Sequence, residues 1–252
     1  MFFIIWGKKT VYRRLGYVAD FCPMCRAARP FALNRVGSAS HVYYLSFGEG
    51  ALVGHERSCQ DCGTAFKAEP STYTTLSREL LPLPELQRAT FPGLEAAQAP
   101  RLALEDRIRH SPALLSGDER RALLREPFLF LSPRVERRFA ATHIDKETGA
   151  AIVAFLVLLV AGPVVTRRLP PGVGGWVLLA LVLAGLALVV WQFVVAGRRF
   201  MRRQVLPVLA KALGPLQPRE AELAAVLAEL KQQGHKIGKR VRRGDLQEGL
   251  QP

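Results

Sequence analysis

The sequence predicts an α+β membrane protein in which a small β-domain built around four cysteines is followed by helices. Three observations support this prediction. All four cysteines of the 252-residue chain occur as two CxxC pairs, two uncharged hydrophobic runs lie beyond the middle, and a basic segment follows the second run. We divide the chain into a four-cysteine β-domain over 1–75, a helical connector over 76–148, a transmembrane hairpin over 149–197 and a basic helical tail over 198–252.

The chain opens with an apolar stretch, residues 1–6 (MFFIIW), which is too short for a signal peptide. Such a peptide needs an apolar region of about 7–15 residues and a small-residue cleavage site. Lys8 and Lys9 follow here instead. We therefore expect no signal peptide and interpret residues 1–6 as a buried β-strand.

The two CxxC pairs indicate a tetrahedral metal site. Their four cysteines are Cys22, Cys25, Cys59 and Cys62. Each pair fits a tight turn whose two sulfurs point at one ion, and two turns complete a tetrahedron with Zn–S distances of about 2.3 Å. Gly63 suits the positive φ that often follows the second cysteine of such a turn. Arg26 stands at the equivalent position of the first pair, which predicts a looser turn there.

The segments around the pairs predict a small antiparallel sheet. Residues 31–36 and 41–47 have strand composition, with turn residues at 37–38 between them. Residues 51–57 and 64–67 predict two further strands. A sheet of this size has little apolar core, so a bound metal would supply much of its folding free energy. The sequence therefore predicts a zinc ribbon.

Zinc is the favoured metal, as one structural ion. Four protein ligands leave no open position for water, which argues against hydrolytic chemistry. Iron is the less favoured alternative, because tetrahedral sulfur suits both metals. Two disulfides are a further alternative, disfavoured for a domain in the reducing cytoplasm. A redox CxxC is also disfavoured, since no thioredoxin-like βαβ pattern surrounds either pair.

The opening MFFIIWG, the CPMC pair and the later CQDCG together resemble a family of mostly bacterial zinc-ribbon membrane proteins. The resemblance covers roughly residues 1–75. It implies short strands around zinc, with the four cysteines as ligands, and it carries no established enzymatic activity. Arg26 departs from the family's commonest pattern, which has glycine at that position.

The two hydrophobic runs, 149–165 and 173–197, contain no charged residue. A helix needs about 20 apolar residues to cross a bilayer, within a range of roughly 17–25. The alternative of two soluble core helices is disfavoured, because neither run shows a polar face. The link over 166–172 is short, so the runs predict a helical hairpin with both ends on one side of the membrane.

Lysines and arginines near the spans predict the orientation, since cytoplasmic flanks are enriched in them. Eight flank the outer ends: Arg137, Arg138, Lys146, Arg198, Arg199, Arg202, Arg203 and Lys211. The link holds two, Arg167 and Arg168. We expect a two-pass protein of the inner or plasma membrane with both termini cytoplasmic. Ala180 and Ala184 are spaced as a small-xxx-small pair that would permit a homo-oligomer.

Helical patterns fill the connector and the tail. Residues 94–110 have helical spacing, and residues 119–126 predict a helix that ends before Pro127. Residues 220–233 predict an amphipathic helix that docks on the connector or on a partner chain. Its apolar face is Leu223, Val226, Leu227 and Leu230.

Charge is concentrated after the second span. The formal net charge is +14, and residues 198–252 contribute +7 of it, with twelve Lys/Arg against five Asp/Glu. Such a segment beside a membrane favours anionic lipid near Arg198, Arg199, Arg202 and Arg203. Its other interpretation is a topology signal without a ligand. Nucleic acid is a possible but disfavoured partner, because the β-domain is only mildly basic.

The sequence shows no recognisable catalytic set. Its histidines are scattered, at His41, His55, His110, His143 and His235, and phosphate-loop, HExxH and GxSxG motifs are missing. The leading hypothesis is therefore a non-enzymatic membrane adaptor or scaffold whose zinc ribbon binds a protein partner. The alternatives are a membrane-tethered nucleic-acid-binding protein and an oligomeric pore or transport subunit. The pore is disfavoured by the apolar spans, since polar groups usually line a pathway.

Overall fold

A computed structural model of the chain describes residues 6–42, 45–46, 48–140, 144–166, 170 and 173–250. The fold is α+β, with an antiparallel sheet at the start and helices in the remainder. The strands are β1 (Trp6–Cys22), β2 (Ala27–Val42), β3 (Leu45–Ser46), β4 (Ala51–Cys59) and β5 (Ala65–Lys67). They lie in the order β1-β2-β4-β5, with the short β3 beside β2.

β2 continues through residues 37–38, so the turn predicted there is wrong. Gly37 pairs with Val11 of β1 and with Leu52 of β4. The carbonyl oxygen of Glu49 lies where a side chain at residue 37 would begin. Glycine in this strand therefore permits a close backbone approach instead of reversing the chain.

The buried strand predicted over residues 1–6 is wrong at Trp6, because that side chain is exposed. Trp6 belongs to β1 but is 81% exposed, because it pairs with Val42 at the far end of the sheet, away from the hydrophobic core. Residues 1–5 lie outside the described residues. So do Tyr43, Tyr44 and Phe47 of the strand predicted over 41–47.

Within the described residues, the connector contains four α-helices before the hairpin. They are α1 (Leu83–Thr90), α2 (Leu94–Ala97), α3 (Ala99–His110) and α4 (Gly117–Ala140). The helical pattern over 94–110 is therefore confirmed, with an interruption at Gln98, two residues before Pro100.

α4 is much longer than the sequence predicts, because it continues through Pro127 and Pro133. An internal proline costs about 3 kcal/mol or more of helix stability. Here the helix buries Leu124, Phe128 and Leu131 almost completely, and each buried side chain of this size contributes about 1.5–3 kcal/mol. The free energy gained by this burial exceeds the cost of the internal prolines. A rule that ends a helix before every proline does not include this gain.

The two hydrophobic runs form helices long and apolar enough to cross a membrane. They are α5 (Lys146–Thr166) and α6 (Val173–Phe200). Only 17% of the apolar window in the first and 6% in the second is buried. A core helix of a soluble protein would be mostly buried, so these exposed apolar faces favour lipid as their environment.

Adjacent glycines at the start of α6 give a matched test of the hairpin. A Cβ at Gly174 would lie 2.6 Å from the carbonyl oxygen of Thr166, whereas a Cβ at Gly175 would meet nothing within 4 Å. We expect Gly174→Ala to destabilise the hairpin by about 1–3 kcal/mol through overpacking. Gly175→Ala should be neutral or should stabilise by at most about 1 kcal/mol. Loss of helical circular dichroism during SDS titration in mixed micelles measures both, and equal effects would contradict this packing.

The tail folds back onto the connector. A π-helical turn (Met201–Val205) leads from α6 into α7 (Leu206–Leu213), which is followed by α8 (Glu220–Gln232), α9 (Lys236–Arg240) and α10 (Arg243–Leu250). The predicted apolar face of α8 is buried. Ion pairs from α4 to α8 join Arg120 to Glu222 at 2.7 Å and Arg125 to Glu229 at 3.1 Å. The amphipathic helix thus docks on the connector.

One hydrophobic core joins the sheet, the connector and the tail. It contains Val18 and Phe31 of the sheet, Phe128 of α4, and Leu209 and Leu230 of the tail. The hairpin projects from this core as an apolar pair of helices. The four cysteines lie inside the same core.

Candidate metal centre

The four predicted ligands lie together. The sulfurs of Cys22, Cys25, Cys59 and Cys62 are all within 4.8 Å of one another. Cys22 Sγ is 3.7 Å from Cys62 Sγ, and Cys25 Sγ is 4.0 Å from Cys59 Sγ. A tetrahedron with Zn–S bonds of about 2.3 Å has edges of about 3.8 Å. The cluster therefore has the size of a tetrahedral metal–thiolate centre.

The sheet positions both cysteine pairs through β2. Cys22 is the last residue of β1 and pairs with Ala27, while Cys59 is the last residue of β4 and pairs with Phe31. The second cysteine of each pair lies in the turn that follows. The backbone N–H of Cys25 points to Cys22 Sγ at 3.4 Å, and the N–H of Gly63 donates to the Cys59 carbonyl at 2.9 Å.

The centre is closed to solvent. None of the four cysteines is more than 9% exposed, and Met24 and Phe31 beside them are fully buried. A metal held here would have four protein ligands, and the burial of all four keeps them from bulk water. This arrangement suits a structural ion better than a catalytic one.

The electrostatics of the cluster favour a cation. Hydrogen bonds between the sulfurs raise the pKa of Cys22 and lower that of Cys62, and those from Cys22 and Cys59 lower the pKa of Cys25 to about 7. Sulfurs this close cannot all ionise without a positive charge between them. Arg134 lies close by: burial lowers its pKa, and the charge of Cys62 partly offsets that effect. A metal with four thiolates would leave a net negative charge beside this guanidinium.

Arg26 occupies the position where the commonest pattern has glycine, and the looser turn predicted there is wrong. Its φ is +54°, close to the +66° of Gly63 in the other turn. Its side chain is only 4% exposed. The guanidinium donates to Glu105 Oε2 at 2.8 Å and to the carbonyl of Ala212 at 2.7 Å. The turn is therefore held from outside, by α3 and α7.

A second buried polar group lies near the centre and was not apparent from the sequence. Asp20 is 1% exposed, two residues before Cys22. It accepts a hydrogen bond from the hydroxyl of Tyr73 at 2.7 Å and forms an ion pair with Arg57. Burial raises the pKa of Tyr73 and lowers that of Arg57. The group ties β1, β4 and the segment after β5 together.

The histidines of the described chain do not join the cluster. Only the four cysteines come together as a metal-binding group among the described residues. His55 pairs with Arg35 across β2 and β4, and His235 Nδ1 lies 2.9 Å from the hydroxyl of Ser132. His143 lies outside the described residues.

Three of the four arginines predicted near lipid have acidic partners. Arg199 contacts Asp145 at 2.8 Å, Arg202 contacts Asp245 at 2.8 Å, and Arg203 pairs with Glu147. Arg198 is exposed at the end of α6.

Asp145 forms its ion pair with Arg199 at the start of the hairpin. Burial alone would raise the pKa of Asp145, but hydrogen bonds from Thr148 and from Arg199 lower it to about 2. The pair is therefore charged throughout the neutral range and holds the base of α6 against the start of α5.

No family model matches this chain, and neither a curated protein nor a solved structure shows significant similarity to it. The class of protein is therefore defined by the fold and the site themselves. It is an α+β chain with a buried four-cysteine cluster able to hold a metal ion and two helices able to cross a membrane. The resemblance to zinc-ribbon membrane proteins stays a prediction.

Proposed function

We propose that this chain is a non-enzymatic membrane adaptor, in which a zinc ribbon presents a cytoplasmic surface to a protein partner. The observation that carries the proposal is a β-arm, formed by residues 6–15, 36–42 and 51–54, that extends beyond the hydrophobic core. It displays large apolar side chains on a sheet with open edges, which is the form of a surface that captures another polypeptide.

The exposed side chains of the β-arm favour protein binding. Tyr12, Leu52 and Val53 are each half exposed or more, in addition to Trp6. The outer edge of β1 before Tyr17 has no strand partner among the described residues. Open sheet edges bind extended segments by strand addition, and neighbouring apolar side chains give selectivity.

The β-arm is pre-ordered, which lowers the entropic cost of binding. Arg35 donates to the carbonyls of Glu49 and Gly50 at 2.8 and 2.9 Å, and Arg13 forms an ion pair with Glu49. The metal centre holds the base of the same strands. A structural role for zinc and a binding role for the β-arm are therefore compatible.

The hairpin supports membrane anchoring, with both ends of the chain in the cytoplasm as the flanking charges predict. A cysteine introduced at Ser116 should be protected from a membrane-impermeant maleimide in intact cells, whereas one at Arg168 should react. The reverse labelling pattern would overturn this topology.

Affinity purification from solubilised membranes tests the adaptor. Leu52→Ser combined with Val53→Ser should remove the specific partner, because the β-arm loses its apolar contacts while the metal ligands stay intact. Leu80→Ser combined with Leu114→Ser is the matched control, since these leucines are also exposed, at 52% and 81%. Metal analysis of each sample should give one zinc per chain.

The outcomes separate the alternatives. A partner lost with the β-arm variant and kept with the control supports the adaptor. The same partner retained in both variants overturns the β-arm as its binding surface. Nucleic acid recovered with the wild type, and released steeply by salt, would favour the nucleic-acid hypothesis instead.

A further inference from the structure

A large cavity opens where the apolar hairpin meets the remaining helices. Its volume is about 1120 Å³. The end of α4, the end of α6 and the segment around α9 line it, and they contribute Phe139, Trp191, Arg198, Lys239 and Arg242, among others. These elements are distant in sequence, so the cavity is created by the folding of the tail against the connector.

The lining of this cavity is strongly positive. It contains eight lysines and arginines but a single carboxylate, that of Asp245. Arg199, Arg202 and Arg203 have the acidic partners described above. Within the described part of the chain, Arg198, Lys239 and Arg242 form no ion pair, and all three are exposed. Their charges are available to an anion.

The other wall of the cavity is apolar. Trp191 and Val194 line it, and both are more than 60% exposed on α6. Arg240 lies over the ring of Phe139 at 4.6 Å, which fixes one cationic side chain at the rim. A basic rim and an apolar wall that continues along the hairpin match an amphiphilic ligand, with an anionic head and a hydrocarbon tail.

We propose that this cavity binds the headgroup of an anionic phospholipid from the leaflet that surrounds the hairpin. The phosphodiester would accept hydrogen bonds from Arg198, Lys239 and Arg242, and an acyl chain would lie along Trp191. A zwitterionic lipid fits less well, because its ammonium group would meet a positive lining. The proposal rests on the membrane anchoring proposed above and adds a defined lipid site to it.

Fluorescence quenching in reconstituted full-length protein tests the site. The chain has three tryptophans, so Trp6→Phe and Trp176→Phe leave Trp191 as the reporter. Brominated phosphatidylglycerol or brominated phosphatidylcholine is placed at equal mole fraction in otherwise identical mixed vesicles. We expect stronger quenching of Trp191 by the brominated phosphatidylglycerol. Lys239→Gln combined with Arg242→Gln should lower this preference about fivefold for each charge removed.

Lys67→Gln combined with Lys231→Gln is the matched control, because it removes two exposed charges outside the cavity and should leave the preference unchanged. Equal quenching by both lipids, or a preference that survives Lys239→Gln with Arg242→Gln, overturns the lipid site while the anchoring stands. No quenching by either lipid overturns the anchoring itself and the site with it. Complete loss of the preference at a concentration of soluble glycerol phosphate no higher than that of the anionic lipid would show that the phosphate group alone is bound, and it too overturns the lipid proposal.

Discussion

Replacing Cys59 with serine should remove the bound metal and abolish cooperative unfolding of the part of the chain outside the hairpin. Structural zinc sites contribute apparent binding free energies of about 10–16 kcal/mol. A whole domain is stable by only about 5–15 kcal/mol. The four cysteines belong to the single core shared by the sheet, α4 and the tail. The free energy lost with the metal should therefore exceed the free energy of unfolding of this whole unit.

Two measurements in detergent check this expectation: zinc per chain by elemental analysis, and the thermal transition by near-ultraviolet circular dichroism. Wild type should hold one zinc and melt cooperatively, and a strong chelator should convert its melting curve to that of Cys59→Ser. The helical signal of the hairpin should persist in the variant, because α5 and α6 make few contacts with the core.

Gln60→Ala is the matched control for the cysteine variant. Gln60 lies in the same turn, but its side chain is exposed, and the only described hydrogen bond of that side chain is to the carbonyl of Ser58. Exposed substitutions of this kind change stability by about 0.5 kcal/mol or less. A Cys59→Ser protein that keeps both one zinc and the wild-type melting temperature would show that the cluster is not the metal centre.

The four-cysteine cluster and the two long apolar helices were predictable because their signals are local and strong. Two CxxC pairs predict four clustered cysteines without knowledge of the fold between them, and the structure brings Cys22, Cys25, Cys59 and Cys62 together as expected. Uncharged runs of span length require no knowledge of tertiary contacts. Both features depend on spacing and composition, which the sequence contains completely.

The errors arose where tertiary contacts outweighed local preference. Gly37 has turn chemistry, but the neighbouring strands hold it in β2. Pro127 should end a helix, but the buried face of α4 continues beyond it. The partners of Arg26 lie 79 and 186 residues away in the chain, at Glu105 and Ala212. Spacing within one turn cannot predict such partners.

Arg26 gives the second large expected effect, because alanine and glycine there should differ in a defined direction. Both variants delete the buried ion pair with Glu105, and breaking such a pair costs about 3–5 kcal/mol. Glu105 still forms an ion pair with Arg101 in both variants, at 3.1 Å. Because its charge stays paired, we expect a loss near the lower end of that range. The wild-type arginine and alanine both adopt the positive φ of +54°, a conformation that costs a non-glycine residue about 1–2 kcal/mol and that glycine adopts freely.

We therefore expect Arg26→Ala to lower the free energy of unfolding by about 3 kcal/mol, and Arg26→Gly to lower it by about 1 kcal/mol less. Both should retain one zinc per chain, since no ligand is changed, and this separates them from Cys59→Ser. Arg107→Ala is the matched control: its ion pair with Glu119 is largely exposed and contributes at most about 1 kcal/mol. Denaturant titration measures all three.

Hydrogen exchange in these variants would show what the buried arginine connects. Arg26 directly follows the first cysteine pair and donates to the carbonyl of Ala212 in α7, and α7 follows α6, one of the two helices able to cross a membrane. Loss of this bond should raise the exchange rate of amides in Leu206–Leu213 while those of the cysteine turns stay protected by the metal. Unchanged exchange in α7 would mean that the core alone holds it. Faster exchange confined to α7 would establish Arg26 as the link between the four-cysteine cluster and the end of α6.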